Sequence, residues 1–484
     1  MNLYCTERHI LRLIILSLFG FISVLNAQNY CGTSTQTQYI KIEEHLSAPN
    51  FPKDNFEVQN LPMQVHIVLT DNGGADFSMQ KLKESICTLN NDFIPTGFQF
   101  YMEKPVNYIR NSKYNEHNYD DGEKMMLEYN VPNVINVYIV SSPAGNCGYY
   151  TYSADAVALS KSCTSKSSHT WAHEFGHYFS LPHTFLGWEG IDYRGGSPAS
   201  EYQKDVRGQI ENIDRSGCGS KADNFCDTPP DYISNRWGCT NSDSSLITQV
   251  DLNGESFKSD GSLFMSYSLD NCSSRFSNEQ MSAMQSFLTT RRSNLKRTIE
   301  LNEIAEFDNT SLFPGDSAVT KSKVTFAWKE IPNATSYIFQ LSRNHVFTVL
   351  IRNVEIKTNA IEVDSLLQDK RYYWRVIPLS NEYFCNEMSK SSTLIIDNLL
   401  AIKNTNKESV EVYPSQISQG QSIFIHSKKM INKLRLLNTS GTDVSNNMIV
   451  RNAYSTVSEI STQNLPIGFY FLFVDEQIFK ISIY

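Results

Sequence analysis

With 484 residues the chain is too long for one core and reads as two to four domains, each able to bury its own. Its 51 acidic against 42 basic residues give a net charge of −9 and no basic footprint, which argues against a nucleic-acid partner. No stretch after the first 27 residues is apolar enough to form a transmembrane segment, so an exported, soluble protein is expected.

Residues 1–27 read as a signal peptide. Arg8 and Arg12 precede the apolar run Leu13 to Leu25, which falls short of the about 20 residues a bilayer span needs, and Asn26-Ala27 supplies a small residue for cleavage. Ten cysteines, less Cys5 in that peptide, leave nine, which suits an oxidising compartment and leaves at least one thiol outside any internal pair. Cys147 with Cys163 and Cys218 with Cys226 are candidates for local bridges. Residues 28–60 are polar, show no sustained period and read as a pro-segment. From Leu61 the pattern changes: a strand over Met63–Leu69, a helix over Ser78–Asp92, strands over Phe98–Glu103, Val134–Val140 and Ala156–Ser160, and a helix over Ser167–Leu181. This alternation predicts an α/β or α+β module. A polar loop follows from Gly187 to Asp260, of a length that usually means function or a bound ion. Helical spacing over Ser277–Ile299 would close the module.

Beyond Glu306 the texture is all-β. Strands over Val324–Trp328, Ser336–Leu341, Ala360–Asp364 and Arg371–Ile377 predict a β-sandwich, and the placement of Trp328, Tyr337, Tyr372 and Trp374 resembles a fibronectin type III domain over residues 315–398. Those aromatics read as core rather than as a ligand platform. Residues 408–484 predict a second small sandwich. Its Val412-Tyr-Pro414, Leu465-Pro-Ile-Gly-Phe-Tyr470 and Lys480 resemble the C-terminal sorting domain of the type IX secretion system, although Ser415-Gln416 stands where Asn-Pro is usual. That resemblance implies the type IX machinery as a partner, outer-membrane export, and either release or retention at the cell surface.

The chemistry concentrates in Trp171–His183. On a helix His173 and His177 lie one turn apart on one face with Glu174 beside them, the H-E-x-x-H pattern. Leu181-Pro182 ends the helix, and His183 can return as a third ligand. Three protein ligands leave a fourth position for water, the mark of a catalytic rather than a structural zinc. Downstream, Met265 would give a soft thioether floor beneath the histidines, and Tyr267 a hydroxyl for a developing oxyanion.

These residues resemble the metzincin metallopeptidases and, within them, the pappalysin family. The likeness is carried by His173-Glu-Phe-Gly-His-Tyr-Phe-Ser-Leu-Pro-His-Thr-Phe185, Cys226-Asp-Thr-Pro-Pro230, Gly238-Cys239, and Met265-Ser-Tyr267 with Cys272 and Phe276. The fold it implies is multidomain: an α+β metzincin catalytic domain over 61–300, then the fibronectin type III-like and small β-sandwich domains. It implies that His173, His177 and His183 bind Zn²⁺, that Glu174 is the general base, that Tyr267 holds the oxyanion and that Met265 forms a Met-turn. Asp270 would select arginine, lysine less well, so that proteins and peptides are cut on the amino side of Arg. Hard oxygens at Asp223, Asp227, Thr228 and Asp231 suit Ca²⁺, and the likeness around Asp227-Thr-Pro implies it. A Cys239–Cys272 bridge is implied as well. Cys31 has two readings: a latency switch on the zinc, as the resemblance implies for Cys31-Gly-Thr33, or a bridge to Cys87. No arginine lies between Gln28 and Asn60, so Lys53 or another protease must serve for removal of the segment. The family has glycine where Ser180 stands, and a positive φ there costs about 1 kcal/mol. A downstream glutamate as third ligand is less suited, since Glu189 and Glu201 miss the spacing. A rival reading from another class is a surface adhesin with an inert protease fold, against which the intact histidine and glutamate set argues.

Overall fold

The computed structural model describes residues 29–46, 56–193, 195, 210–320, 322–367, 370–396, 410–452, 456–475 and 477–484. The signal peptide, Lys53 and Glu201 lie outside the described residues.

The N-terminal module is built on a seven-stranded sheet. In chain order its elements are β1 (Asn29–Cys31), α1 (Thr35–Leu46), β2 (Gln59–Leu69), α2 (Met79–Phe93), β3 (Phe98–Met102), β4 (Asn107–Arg110), α3 (Ser112–Asn115), β5 (Glu116–His117), α4 (Tyr119–Tyr129), β6 (Ile135–Val140), β7 (Ser142–Pro143), β8 (Asn146–Thr151), β9 (Ala156–Ser160), α5 (Thr170–Tyr178), the hairpin pair β10 (Gln249–Val250) and β11 (Ser256–Phe257), and α6 (Asn278–Thr290). The sheet order is β1-β8-β9-β6-β2-β3, with β4 also on β2 and the short β5 and β7 paired apart. Strands β2, β3, β4, β6 and β9 run parallel. A parallel sheet buries both faces, and β6 and β9 are buried along their whole length. Alternate residues of β2 serve the two sides. Leu61, Met63, Val65 and Ile67 meet the apolar faces of α2, α5 and α6, and Val68 meets Met125 and Met126 of α4 on the other side.

The exception in direction is β8, antiparallel to β9 and tied through Cys147–Cys163 to the turn before α5. It carries β1 on its outer edge, in parallel register with Asn29 opposite Asn146 and Cys31 opposite Gly148. The polar stretch 28–60 therefore holds more order than its composition predicts. Ser34 caps α1 by accepting from the Thr37 amide, and Lys41 of α1 is buried with its ammonium over Tyr150, Tyr152 and Phe287. Contacts of this kind, not an apolar stripe, hold the segment.

Two other expectations shift. The closing helix stops at Thr290 instead of Ile299. Arg291 and Arg292 both donate to Phe287 O, which turns the chain so that the Arg292 guanidinium covers Tyr178 and pairs with Asp155. The loop after Gly187 is not held by polar groups alone. It forms its own aromatic cluster of Trp188, Tyr193, Tyr232, Trp237 and Phe257, with Trp188 stacked on Tyr232 at 4.4 Å.

Residues 318–396 form a five-stranded sheet facing a two-stranded one. The first is built from Ala318–Thr320, Ser336–Ser342, Leu350–Ile356, Lys370–Leu379 and Ser392–Ile396, the second from Val324–Ala327 and Ala360–Val363. Trp328, Tyr337, Tyr372 and Trp374 are all in its core. Residues 410–483 form two four-stranded sheets around Ile423, Ile425, Leu472 and Ile481. No helix among the described residues is long and apolar enough to cross a membrane.

A contact absent from the sequence reading joins the first two units. Cys87 of α2 is bonded to Cys385, Phe384 enters the core of the N-terminal module, and Lys83 Nζ donates to Asn386 O at 2.5 Å. A protease nick in the connection between residues 296 and 317 is therefore expected to leave fragments that run together on a denaturing gel and separate only on reduction. In Cys385→Ser they should separate without reductant, and separation of the unreduced wild type would contradict the bond.

Candidate active site

The site grows from α5 and the turn behind it. His173 and His177 are one helical turn apart, with ring centroids 4.9 Å from each other. The helix then closes with Ser180 N donating to His177 O and Leu181 N to Gly176 O, and Ser180 takes φ 83°. Residues with a Cβ disfavour that conformation, and the Ser180 hydroxyl is buried without a hydrogen-bond partner, so the serine is strained here. The reversal brings His183 Nε2 to 3.2 Å from His173 Nε2 and 3.1 Å from His177 Nε2.

The opposite ring nitrogens decide what these three can do. His173 Nδ1 donates to Phe264 O and His177 Nδ1 to Leu181 O, both at 2.7 Å. That fixes the tautomer and leaves each Nε2 a bare acceptor. Burial, and for His173 and His177 the neighbouring imidazoles, pushes their pKa values down, that of His183 to about 3. Neutral imidazole lone pairs packed this closely repel one another unless a cation sits among them. Cys31 Sγ adds a fourth donor, 3.6 Å from His177 Nε2, and the four ligand atoms lie within 4.8 Å of one another. A nitrogen and sulfur set of this size fits Zn²⁺. Cys31 is free and buried, since Cys87 is bonded elsewhere, so the bridge from Cys31 to Cys87 does not form.

Glu174 is fully buried beside the cluster. Its Oε2 accepts from Thr33 Oγ1 at 3.2 Å and lies 3.6 Å from Cys31 Sγ, and its Oε1 has no hydrogen-bond partner. Burial pushes its carboxyl up to about 8. Gly148 allows this approach, because a Cβ there would lie 2.8 Å from Glu174 Cγ. Tyr267 stands edge-on to His183 with centroids 4.9 Å apart, and its hydroxyl donates to Cys31 O at 3.1 Å, a peptide carbonyl held at the histidines. A cavity of about 520 Å³ opens next to these groups, lined by Tyr119, Asn146, His183, Phe185, Glu189 and Tyr267 among others. Glu189 faces His183 Nδ1 at 3.6 Å, on the side of the ring away from the cluster.

Met265 is fully buried beneath α5, and a Cβ on Gly176 would meet its sulfur at 2.3 Å. The glycine inside the H-E-F-G-H run thus makes room for the thioether. Asp231, grouped with the loop carboxylates in the sequence, does different work. It accepts from Thr184 and Ser266 hydroxyls at 2.9 and 2.8 Å, and from Ser259 Oγ and Ile233 N, so it clamps the residue after His183 to the residue after Met265. Asp227 accepts from Ser277 Oγ and Glu279 N at the start of α6. Thr228 donates to Asp223, whose other oxygen is buried and unpartnered. Cys239 and Cys272 are bonded, as are Cys218 and Cys226.

Asp270 is near the site but does not present a free carboxylate. Its Oδ2 pairs with Arg236 Nη2 and its Oδ1 accepts from His169 N, both at 3.0 Å. Sequence reading also passed over Tyr30, Thr33 and Gln38, whose Oε1 accepts from His183 N at 2.9 Å. Only the Cys31-Gly-Thr33 motif pointed toward them.

Three buried imidazoles and a thiol drawn from the N-terminal segment, with a buried carboxyl beside them, form a donor set that could hold a metal ion. The chain is similar to an extracellular metalloprotease of Pyricularia oryzae, 28% identical over 142 residues, covering 25% of this chain and 50% of that one. It is also similar to an extracellular metalloprotease of Podospora anserina, 23% identical over 289 residues, 53% of this chain and 85% of that one. The chain thus spans half the length of the first relative. No family model matches. Solved structures with a likeness include a Fn3-like protein from Clostridium thermocellum (22% identity, 17% of this chain and 90% of that one, TM-score 0.15) and the fn3 domain of human collagen alpha-1(XX) chain (16%, 23% and 97%, TM-score 0.16).

Gly176→Ala separates packing from helix propensity. Alanine gains about 1 kcal/mol in a helix, whereas overpacking against Met265 costs about 1–3 kcal/mol. The expected result is a lower melting temperature and less zinc per chain after dialysis. An unchanged or raised melting temperature would show that Met265 does not press on α5.

Proposed function

We propose that the chain is a secreted zinc-dependent endopeptidase of the metzincin type, resembling the pappalysins, held latent by its own N-terminal segment. The observation that carries this reading is the convergence of three neutral Nε2 atoms beside a buried carboxyl with one unpartnered oxygen. His173, His177 and His183 would hold the zinc, which supplies Lewis acidity and lowers the pKa of water towards about 7. Glu174 takes a proton from the attacking water and passes it to the leaving amine. A cation held by the neighbouring histidines would favour its carboxylate form, which the first step needs. Tyr267 donates to the oxyanion, as it donates to Cys31 O in the latent chain. Once β1 leaves, the edge of β8 is free to pair with an extended substrate.

Cys31 in this reading occupies the position water needs, and residues 28–60 are the pro-segment. The relatives' names support secretion. The signal peptide and a type IX sorting domain at 408–484 complete the route as proposals. Calcium in the 210–231 loop is a proposal too. Asp223, with its unpartnered buried oxygen, suits it better than Asp227 and Thr228, whose side chains are engaged. An arginine preference would require Asp270 to exchange Arg236 for a substrate guanidinium.

Glu174→Ala is expected to keep its zinc and lose about 10²–10⁴-fold of chelator-sensitive casein hydrolysis. Equal activity in the two proteins would sink the peptidase reading. Cys31→Ala should cleave casein without N-terminal processing. If it stays as inactive as the wild type until processed, the thiol is not the lock.

A further inference from the structure

The residue before Cys31 fills a pocket of its own. Tyr30 is buried, its ring edge-on to His173 at 4.9 Å and to Tyr267 at 5.3 Å between centroids. The Arg236 guanidinium lies over the ring face, 3.7 Å from the centroid, and the hydroxyl is beside Thr170 at the start of α5. Arg236 is itself anchored, by Asp270 Oδ2 at 3.0 Å and by Ser268 O. Cys31 Sγ marks the reacting centre, so the pocket one residue away flanks the scissile bond of any chain bound there.

We propose that this pocket selects an aromatic side chain, tyrosine or phenylalanine, next to the scissile bond, and that Arg236 is the specificity-determining residue. The inference rests on the peptidase reading and deepens it. Two facts separate an aromatic pocket from an arginine pocket. Both Asp270 oxygens already carry a donor, Arg236 on one and His169 N on the other, so a substrate guanidinium would have to compete with a pair already formed. A substrate arginine in the place of Tyr30 would also put its charge against that of Arg236, whose guanidinium lies 3.7 Å from the centre of the space the Tyr30 ring fills. An aromatic ring instead offers its electron-rich face to the guanidinium, as Tyr30 does.

The full-length chain tests this without catalysis, through the rate at which a maleimide labels Cys31. Tyr30→Phe is expected to label within about threefold of wild type, and Tyr30→Ala and Tyr30→Arg at least about tenfold faster, because the segment leaves a pocket that no longer fits. With Arg236→Gln in the same chain Asp270 is uncovered, and Tyr30→Arg should then label more slowly than Tyr30→Ala. Equal rates throughout, or Tyr30→Arg as slow as wild type with Arg236 in place, would overturn the proposal. Labelling in denaturant and circular dichroism establish that each variant is folded, and Arg236→Met, which fills the space without a charge, replaces Arg236→Gln if that chain does not fold. Cleavage of a peptide library by the N-terminally processed chain is the second arm. Tyrosine or phenylalanine beside the cut at least about tenfold over arginine is expected, and the reverse order would overturn it. Failure of the peptidase reading shows differently, as no chelator-sensitive cleavage of any peptide while the labelling order persists.

Discussion

The hydrogen bonds from two imidazole Nδ1 atoms to backbone carbonyls are the constraint on which the rest of this molecule depends. By donating to Phe264 O, His173 sets the height of the Phe264–Tyr267 turn against α5. His177, donating to Leu181 O, sets where the helix must stop. Both bonds fix the ring so that the other nitrogen faces its partners. The short helix, the left-handed Ser180 and the sulfur of Met265 against Gly176 all follow from holding those two carbonyls in place. Asp231 completes the frame from below, joining Thr184 to Ser266 through one buried carboxylate whose charge its four donors support. The cost is visible at Ser180, where the chain adopts a glycine conformation without a glycine.

Local features were the legible ones. The H-E-x-x-H spacing and the bridges Cys147–Cys163 and Cys218–Cys226 each join residues close in the chain, so a short window contains the whole argument, although the helix expected over Ser167–Leu181 spans only Thr170–Tyr178, because Ser180 turns left-handed before Leu181-Pro182 is reached. The aromatic strands of the middle sandwich were legible for the same reason, since alternation is a property of consecutive residues. What stayed hidden joins distant residues. Asp270 read as a pocket carboxylate, Arg236 drew no reading at all, and only the fold shows that they pair. Asp231 looked like one more loop carboxylate because nothing near it in the chain names Thr184 or Ser266. The α1 segment was missed for a different reason. Its stability comes from burying the stem of Lys41 against rings of other elements, and no apolar period records that.

The sheet edge shows how little chain the N-terminal segment needs to cover the histidine cluster. A strand of three residues on β8 fills the backbone positions, Cys31 takes the centre, Tyr30 fills one side pocket and Thr33 meets the Glu174 carboxyl. Five consecutive residues, 29–33, thus meet the sheet edge, the cluster of donor atoms, the neighbouring pocket and Glu174 at once. The helix that follows keeps the strand in register.

The four cystine bonds are nested. Cys147–Cys163, Cys218–Cys226 and Cys239–Cys272 close spans of 16, 8 and 33 residues, and all of them fall inside the 298-residue span of Cys87–Cys385. An emerging chain can close the three short spans as each partner appears. Cys385 follows Cys87 only after six other cysteines and most of the middle sandwich have been made. The N-terminal module is therefore covalently complete only when its neighbour exists.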